Sequence, residues 1–112
     1  MRQQLIQKMI GELQYPKGLI AIEKALPLLR RRVDILCYLP CKTGLEPLLL
    51  IECKKNGWDL SAEKQLLGYN FSVGAPFVAL AEGRQIKTFW REKENIAFVP
   101  FLPKYSDLVK QL

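Results

Sequence analysis

The chain contains no histidine. This absence removes Ser-His-Asp hydrolases, Cys-His proteases and histidine-metal nucleases, each of which needs an imidazole as base or ligand. Carboxylates and lysines are left as the groups able to do chemistry. Cysteine is scarce: Cys37, Cys41 and Cys53 are an odd number with no Cys-x-x-Cys pair. Neither a zinc site nor a disulfide framework is expected, and reduced thiols suit a cytoplasmic location. No apolar run approaches the roughly 20 residues of a membrane span. The opening residues are polar and charged, so no signal peptide is expected. Internal repeats and low-complexity segments are also lacking.

What is present is an ordinary globular composition, 49% hydrophobic and 25% charged over 112 residues. That length bounds the chain to a single domain, residues 1–112. Seventeen basic residues against eleven acidic ones give a net charge of +6. This suits a polyanionic partner such as DNA, although a merely basic globular protein has the same balance.

The most informative stretch is Pro47-Leu-Leu-Leu-Ile-Glu-Cys-Lys-Lys55. The apolar run Leu48 to Ile51 reads as a strand buried on both faces. Alternation predicts Leu48, Leu50, Glu52 and Lys54 on one face and Leu49, Ile51 and Cys53 on the other. An acid and a base at the end of a buried strand can be a plain ion pair. Upstream, Arg30 to Tyr38 reads as a second strand with Asp34 inside it. The turn-like stretch Pro40 to Pro47 predicts a hairpin between them. An antiparallel pair of this length can set Asp34 beside Glu52. Two carboxylates and a lysine in one spot suit a hard cation such as Mg²⁺, with Mn²⁺ as a substitute, and a phosphate facing the lysine. Two close carboxylates also repel, so removing either one is expected to raise stability when no metal is bound.

Asp34 followed by Glu52-Cys53-Lys54 resembles the D…(D/E)-x-K signature of the PD-(D/E)-x-K nuclease superfamily. The surrounding text is similar to the amino-terminal nuclease domain of type I restriction enzyme R subunits and related small proteins. It includes Tyr15 to Glu23, Arg32 to Ile35, Ile51 to Lys54 and Gln65 to Asn70, and covers roughly residues 2 to 90. Val33 stands where the superfamily's name has proline, a position that varies. The resemblance implies a metal-dependent DNA endonuclease with a restriction-endonuclease-like fold. Asp34 and Glu52 would be metal ligands together with the Cys53 backbone carbonyl. Lys54 would be catalytic, with Gln65 and Tyr69, a Gln-x-x-x-Tyr pair on one helix face, assisting. The products would carry 5′-phosphates. The rival is a nucleic-acid-binding or assembly module that keeps the fold without catalysis. A homodimer or a larger restriction-type complex is compatible with either, and no membrane partner is expected.

In chain order, residues 2 to 14 read as an amphipathic helix with the stripe Leu5, Ile6, Met9, Ile10 and Leu13. Leu19 to Leu26 reads as a first strand, stopped by Pro27. Its Glu23 is either a further acid near the metal or a partner of Arg31 or Arg32. Arg30, Arg31 and Arg32 form a solvated basic run or a set of DNA phosphate contacts. After a loop at 55–60, Ser61 reads as the cap of a helix that ends at Gly74. Pro76 to Ala81 and Arg84 to Arg91 follow as strands around a Glu82-Gly83 turn. Trp58 and Trp90 suit core packing or base stacking. Ile96 to Leu102 reads as an edge strand or an extended segment, and a short helix capped by Ser106 completes a variable tail. The order α-β-β-β-α-β-β predicts an α/β, three-layer domain with a mixed central sheet flanked by helices.

Overall fold

The structure, a computed structural model, describes residues 2–26, 31–55 and 58–112; for residues 24–26, 31 and 32 it describes the backbone alone. Pro27, Arg30 and the Asn56-Gly57 part of the loop lie outside the described residues. The elements are α1 (Arg2–Gly11), β1 (Ile20–Leu26), β2 (Arg31–Cys41), β3 (Gly44–Cys53), α2 (Leu60–Val73), β4 (Phe77–Glu82), β5 (Gln85–Glu92), β6 (Asn95–Val99) and α3 (Tyr105–Lys110). A 3₁₀ turn at Lys17–Leu19 leads into β1. The strands form one six-stranded sheet in the order β1-β2-β3-β4-β5-β6. β3 and β4 are parallel, and every other neighbouring pair is antiparallel. The predicted α/β mixed sheet is therefore observed, and β6 and α3 fall in the tail where an edge strand and a short helix were expected.

Two cores make the three layers. Ile6 and Met9 of α1 and Leu108 of α3 pack with Ile35, Cys37, Leu49, Ile51 and Ala79 on one sheet face. Ala62 and Leu66 of α2 pack with Leu36, Leu50, Val78, Leu80 and Phe89 on the other. The parallel step from β3 to β4 requires a crossover, which α2 supplies. Burial on both faces explains the unbroken apolar runs of β3 and β4.

Several local expectations are corrected. α1 ends at Gly11, and the chain turns with Gln14 at φ 60° and the Tyr15 N–H donating to the Met9 carbonyl. The stretch 40–47 is not a long turn. β2 runs to Cys41, β3 starts at Gly44, and the turn is Lys42-Thr43 alone. A β-bulge follows: Tyr38 pairs with Pro47 and Cys37 with Leu49, so Leu48 is the extra residue. Leu48 consequently joins the core of Leu49 and Ile51 instead of that of Leu50. The cap of α2 is Asp59, whose side chain accepts from the Ala62 N–H at 2.9 Å, and not Ser61. Gly74 ends α2 in the left-handed region, as expected. α3 is preceded by Lys104, and Ser106 lies inside it.

Candidate metal and phosphodiester site

The candidate site forms where β2 and β3 run out of ladder. The last pair between them on this side is Ile35 with Ile51. One step further would oppose Asp34 to Glu52. Asp34 reaches instead to the next residue: its Oδ2 accepts from the Cys53 N–H at 2.8 Å. The regular alternation shifts here, because Val33 packs with the α2-side core and Ile35 with the α1-side core. Across from Asp34, the β1 ladder runs Ile22 to Ile35 and Lys24 to Val33, and between them Glu23 has φ 53°. A non-glycine residue held in this region is strained.

The irregularity gathers charge. Arg2, from the first turn of α1, lies with one Nη1 2.7 Å from Glu23 Oε1 and 3.7 Å from Asp34 Oδ1. Glu23 thus accepts a bond from Arg2; the side chains of Arg31 and Arg32, its expected partners, lie outside the described residues. The hydrogen bond to Glu23 raises the Arg2 guanidinium above its ordinary value against the opposing effect of burial, and Asp34 adds to the rise. Arg2, Gln3, Glu23, Asp34, Cys53, Lys54 and Lys55 line a pocket of about 430 Å³.

Glu52 is half-buried and pairs with Leu80 of β4. Alternation sets it toward the Leu50 face, and it is not among the described lining residues of this pocket. It remains close: Cys53 is pushed up to about 11, first by burial and then by the charges of Asp34 and Glu52. Lys54 continues past β3 with its N–H donating to the Ala81 carbonyl, which ties the strand end to β4. Gln65 is exposed and Tyr69 half-buried on α2, and neither lines the pocket of Asp34. Asp34, Glu23, Cys53 and Lys54 are therefore brought together, with Glu52 adjacent and the Gln65–Tyr69 pair on the α2 layer. Among the described residues, no three His, Cys, Asp or Glu groups form a ready-made metal cage.

The tryptophans mainly pack. Trp58 joins the α2-side core and donates to Glu63 Oε2 at 2.8 Å, while Trp90 lies against the α1-side core with its ring 6.3 Å from Phe77. Arg2 is the residue that the sequence did not reveal. A cation opening an amphipathic helix looks like any solvated helix end, and the fold alone brings it to Glu23 and Asp34.

The model of the family "type I restriction enzyme R protein N terminus" matches residues 1–103. The chain belongs to this family. A search of curated proteins and one of solved structures find no match. The family match spans α1 to β6, and with them every residue that lines the Asp34 pocket. No helix among the described residues is long and apolar enough to cross a membrane.

Proposed function

We propose that this R-protein N-terminal domain is a Mg²⁺-dependent DNA endonuclease. The observation that carries the reading is the meeting of Asp34, Glu23 and Lys54 in one pocket where β2 and β3 part, in a chain of this family. The donor set fits the metal. Mg²⁺ is a hard cation usually held by one or two carboxylates, with water and substrate phosphate filling the other positions. The lack of a three-ligand cage is therefore no misfit. Asp34 and the Cys53 carbonyl would hold it, with Glu23 as the acid that shares their pocket, Glu52 at the adjoining strand end and Mn²⁺ as a substitute. Such a cation polarises a phosphodiester and acidifies a bound water.

The chain's own residues supply the rest. Asp34 Oδ2 is fixed by the Cys53 N–H, which leaves Oδ1 directed into the pocket. Lys54 would orient the attacking water or offset charge on the transition state. Gln65 and Tyr69 would act from α2. Arg30, Arg31 and Arg32 would contact DNA phosphates without reading sequence, and the net charge of +6 favours such contacts. A homodimer or a larger restriction-type complex would bring a second active site to the other strand.

A second reading is a DNA-binding or assembly module that keeps the fold without cutting. The guanidinium of Arg2 beside Glu23 and Asp34 favours it, since a cation already stands at those acids. The deciding experiment incubates the protein with plasmid and single-stranded DNA in Mg²⁺, Mn²⁺ or EDTA, beside melting curves under the same conditions. Metal-dependent nicking that is lost in Lys54→Ala, with the metal-induced rise in Tm retained, supports catalysis. DNA binding with neither cleavage nor a metal-induced rise selects the module.

A further inference from the structure

α1 opens with a cation at an end where a helix disfavours one, because its free N–H groups already carry partial positive charge. Arg2 is nevertheless held there, by Glu23 Oε1 at 2.7 Å and beside Asp34 Oδ1 at 3.7 Å. Two costs gather at the same place. The Arg2 Nε is buried without a hydrogen-bond partner among the described residues. Glu23, its partner, has the strained φ of 53°. The guanidinium stands between carboxylates from two neighbouring strands, and one of these, Asp34, is the proposed metal ligand.

We infer that Arg2 is a positioning residue of this site: it is the resident counter-cation of Asp34 and Glu23, and a divalent cation taken up at Asp34 must displace it. The inference rests on the metal-binding reading above. Before metal arrives, the guanidinium keeps two acids from adjacent strands close together at tolerable cost. When metal arrives, the same acids cannot serve both cations in full. Metal uptake and the Arg2–Glu23 contact are then coupled, and linkage makes the coupling reciprocal.

The test is a calorimetric titration of Mn²⁺ into the full chain, as wild type, Arg2→Ala, Arg2→Lys and Lys55→Ala. Lys55 lines the same pocket and reports the effect of simply removing a nearby positive charge. Arg2→Ala is expected to bind Mn²⁺ about tenfold tighter than wild type, within the usual range of coupling between sites. Lys55→Ala should gain much less. Arg2→Lys should fall between wild type and Arg2→Ala, because it keeps the charge but carries it on a compact, strongly hydrated ammonium. Melting in EDTA establishes that each variant is folded. In parallel, side-chain NMR of ¹⁵N-arginine in the wild type should show the Arg2 guanidinium protons exchanging slowly without metal and faster with saturating Mg²⁺. This second readout needs no substitution. Equal affinities for Arg2→Ala and Lys55→Ala, weaker binding by Arg2→Ala, or unchanged Arg2 exchange on Mg²⁺ addition would overturn the inference while leaving wild-type metal binding in place. If wild type and all variants bind no Mn²⁺, the metal-dependent function fails and this inference fails with it.

Discussion

Removing Asp34 should lower, not raise, the stability of the metal-free protein. Charge repulsion between two acids taken alone predicts a gain when either is deleted. The contacts of Asp34 reverse that expectation. Its Oδ2 is the partner of the Cys53 N–H at 2.8 Å, in a part-buried setting, and its Oδ1 faces Arg2 at 3.7 Å. The carboxylate is only 25% exposed. In Asp34→Ala a backbone donor at the sheet's end is left without its acceptor, which costs about 1–3 kcal/mol. Relief of repulsion returns at most about 1 kcal/mol for charges that still see solvent. The lost attraction to Arg2 is of the same size and offsets that relief. The net loss is therefore about 1–3 kcal/mol, and for a domain of this size each kcal/mol moves Tm by about 4 °C. Asp34→Ala should melt about 4–12 °C below wild type in EDTA, at neutral pH and low salt. Asp34→Asn keeps an amide oxygen for the Cys53 N–H and should lose less. The assay is a thermal melt followed by circular dichroism, with the three proteins measured in EDTA. An Asp34→Ala protein that melts at or above wild type would refute the reasoning. It would mean that the acids repel more strongly than the backbone bond holds.

Two other outcomes follow from the packing. Asp59→Ala should cost about 0.5–2 kcal/mol, the usual loss for an N-cap, whereas Ser61→Ala should be nearly silent; urea denaturation of both variants distinguishes the two caps. Cys37, buried and pushed up to about 12 by burial alone, favours the protonated thiol in the folded state. Its contribution is thus fully present below the unfolded thiol's pKa of about 8.5 and is lost as pH rises from there toward 12. Wild-type stability should fall across that window with a steeper slope than that of Cys37→Val, as measured by urea melts from pH 8 to 10.5.

The central strands were legible because their sequence carries their environment. Leu49 to Ile51 and Phe77 to Ala81 are buried on both faces, and only a strand between two helical layers needs such runs. The hairpin was misread for an equally physical reason. Pro40 and Pro47 look like turn residues, yet both sit in paired strand. β1 pairs with β2 only as far as Cys37, and β4 pairs with β3 only from Leu49. Beyond those points the outer side of each strand is an edge, where a missing N–H breaks no ladder bond. The proline at the bulge also displaces Leu48, and a bulge cannot be seen in a run of identical leucines. The convergence of Asp34, in β2, and Lys54, just past the end of β3, was legible from the strand pattern. The placing of Glu52 on the same face as Asp34 was not, because it assumed unbroken alternation. Arg2 was out of reach, since nothing local links it to residues 23 and 34.

The same irregularity explains why the acids collect at this end of the sheet. A regular β2–β3 ladder would satisfy the Cys53 N–H with a backbone carbonyl and would send the Asp34 side chain to one face. Where the alternation shifts, the carbonyl is replaced by the Asp34 carboxylate. A carboxylate has two oxygens and more lone pairs than one N–H can use. One oxygen therefore completes the fold, and the other faces Arg2 in the pocket. Strain at Glu23 brings a second acid from β1 to the same opening. The fold thus converts a local failure of backbone pairing into a fixed concentration of negative charge beside Lys54. That charge calls for a cation, whether it is the guanidinium already there or a metal that replaces it.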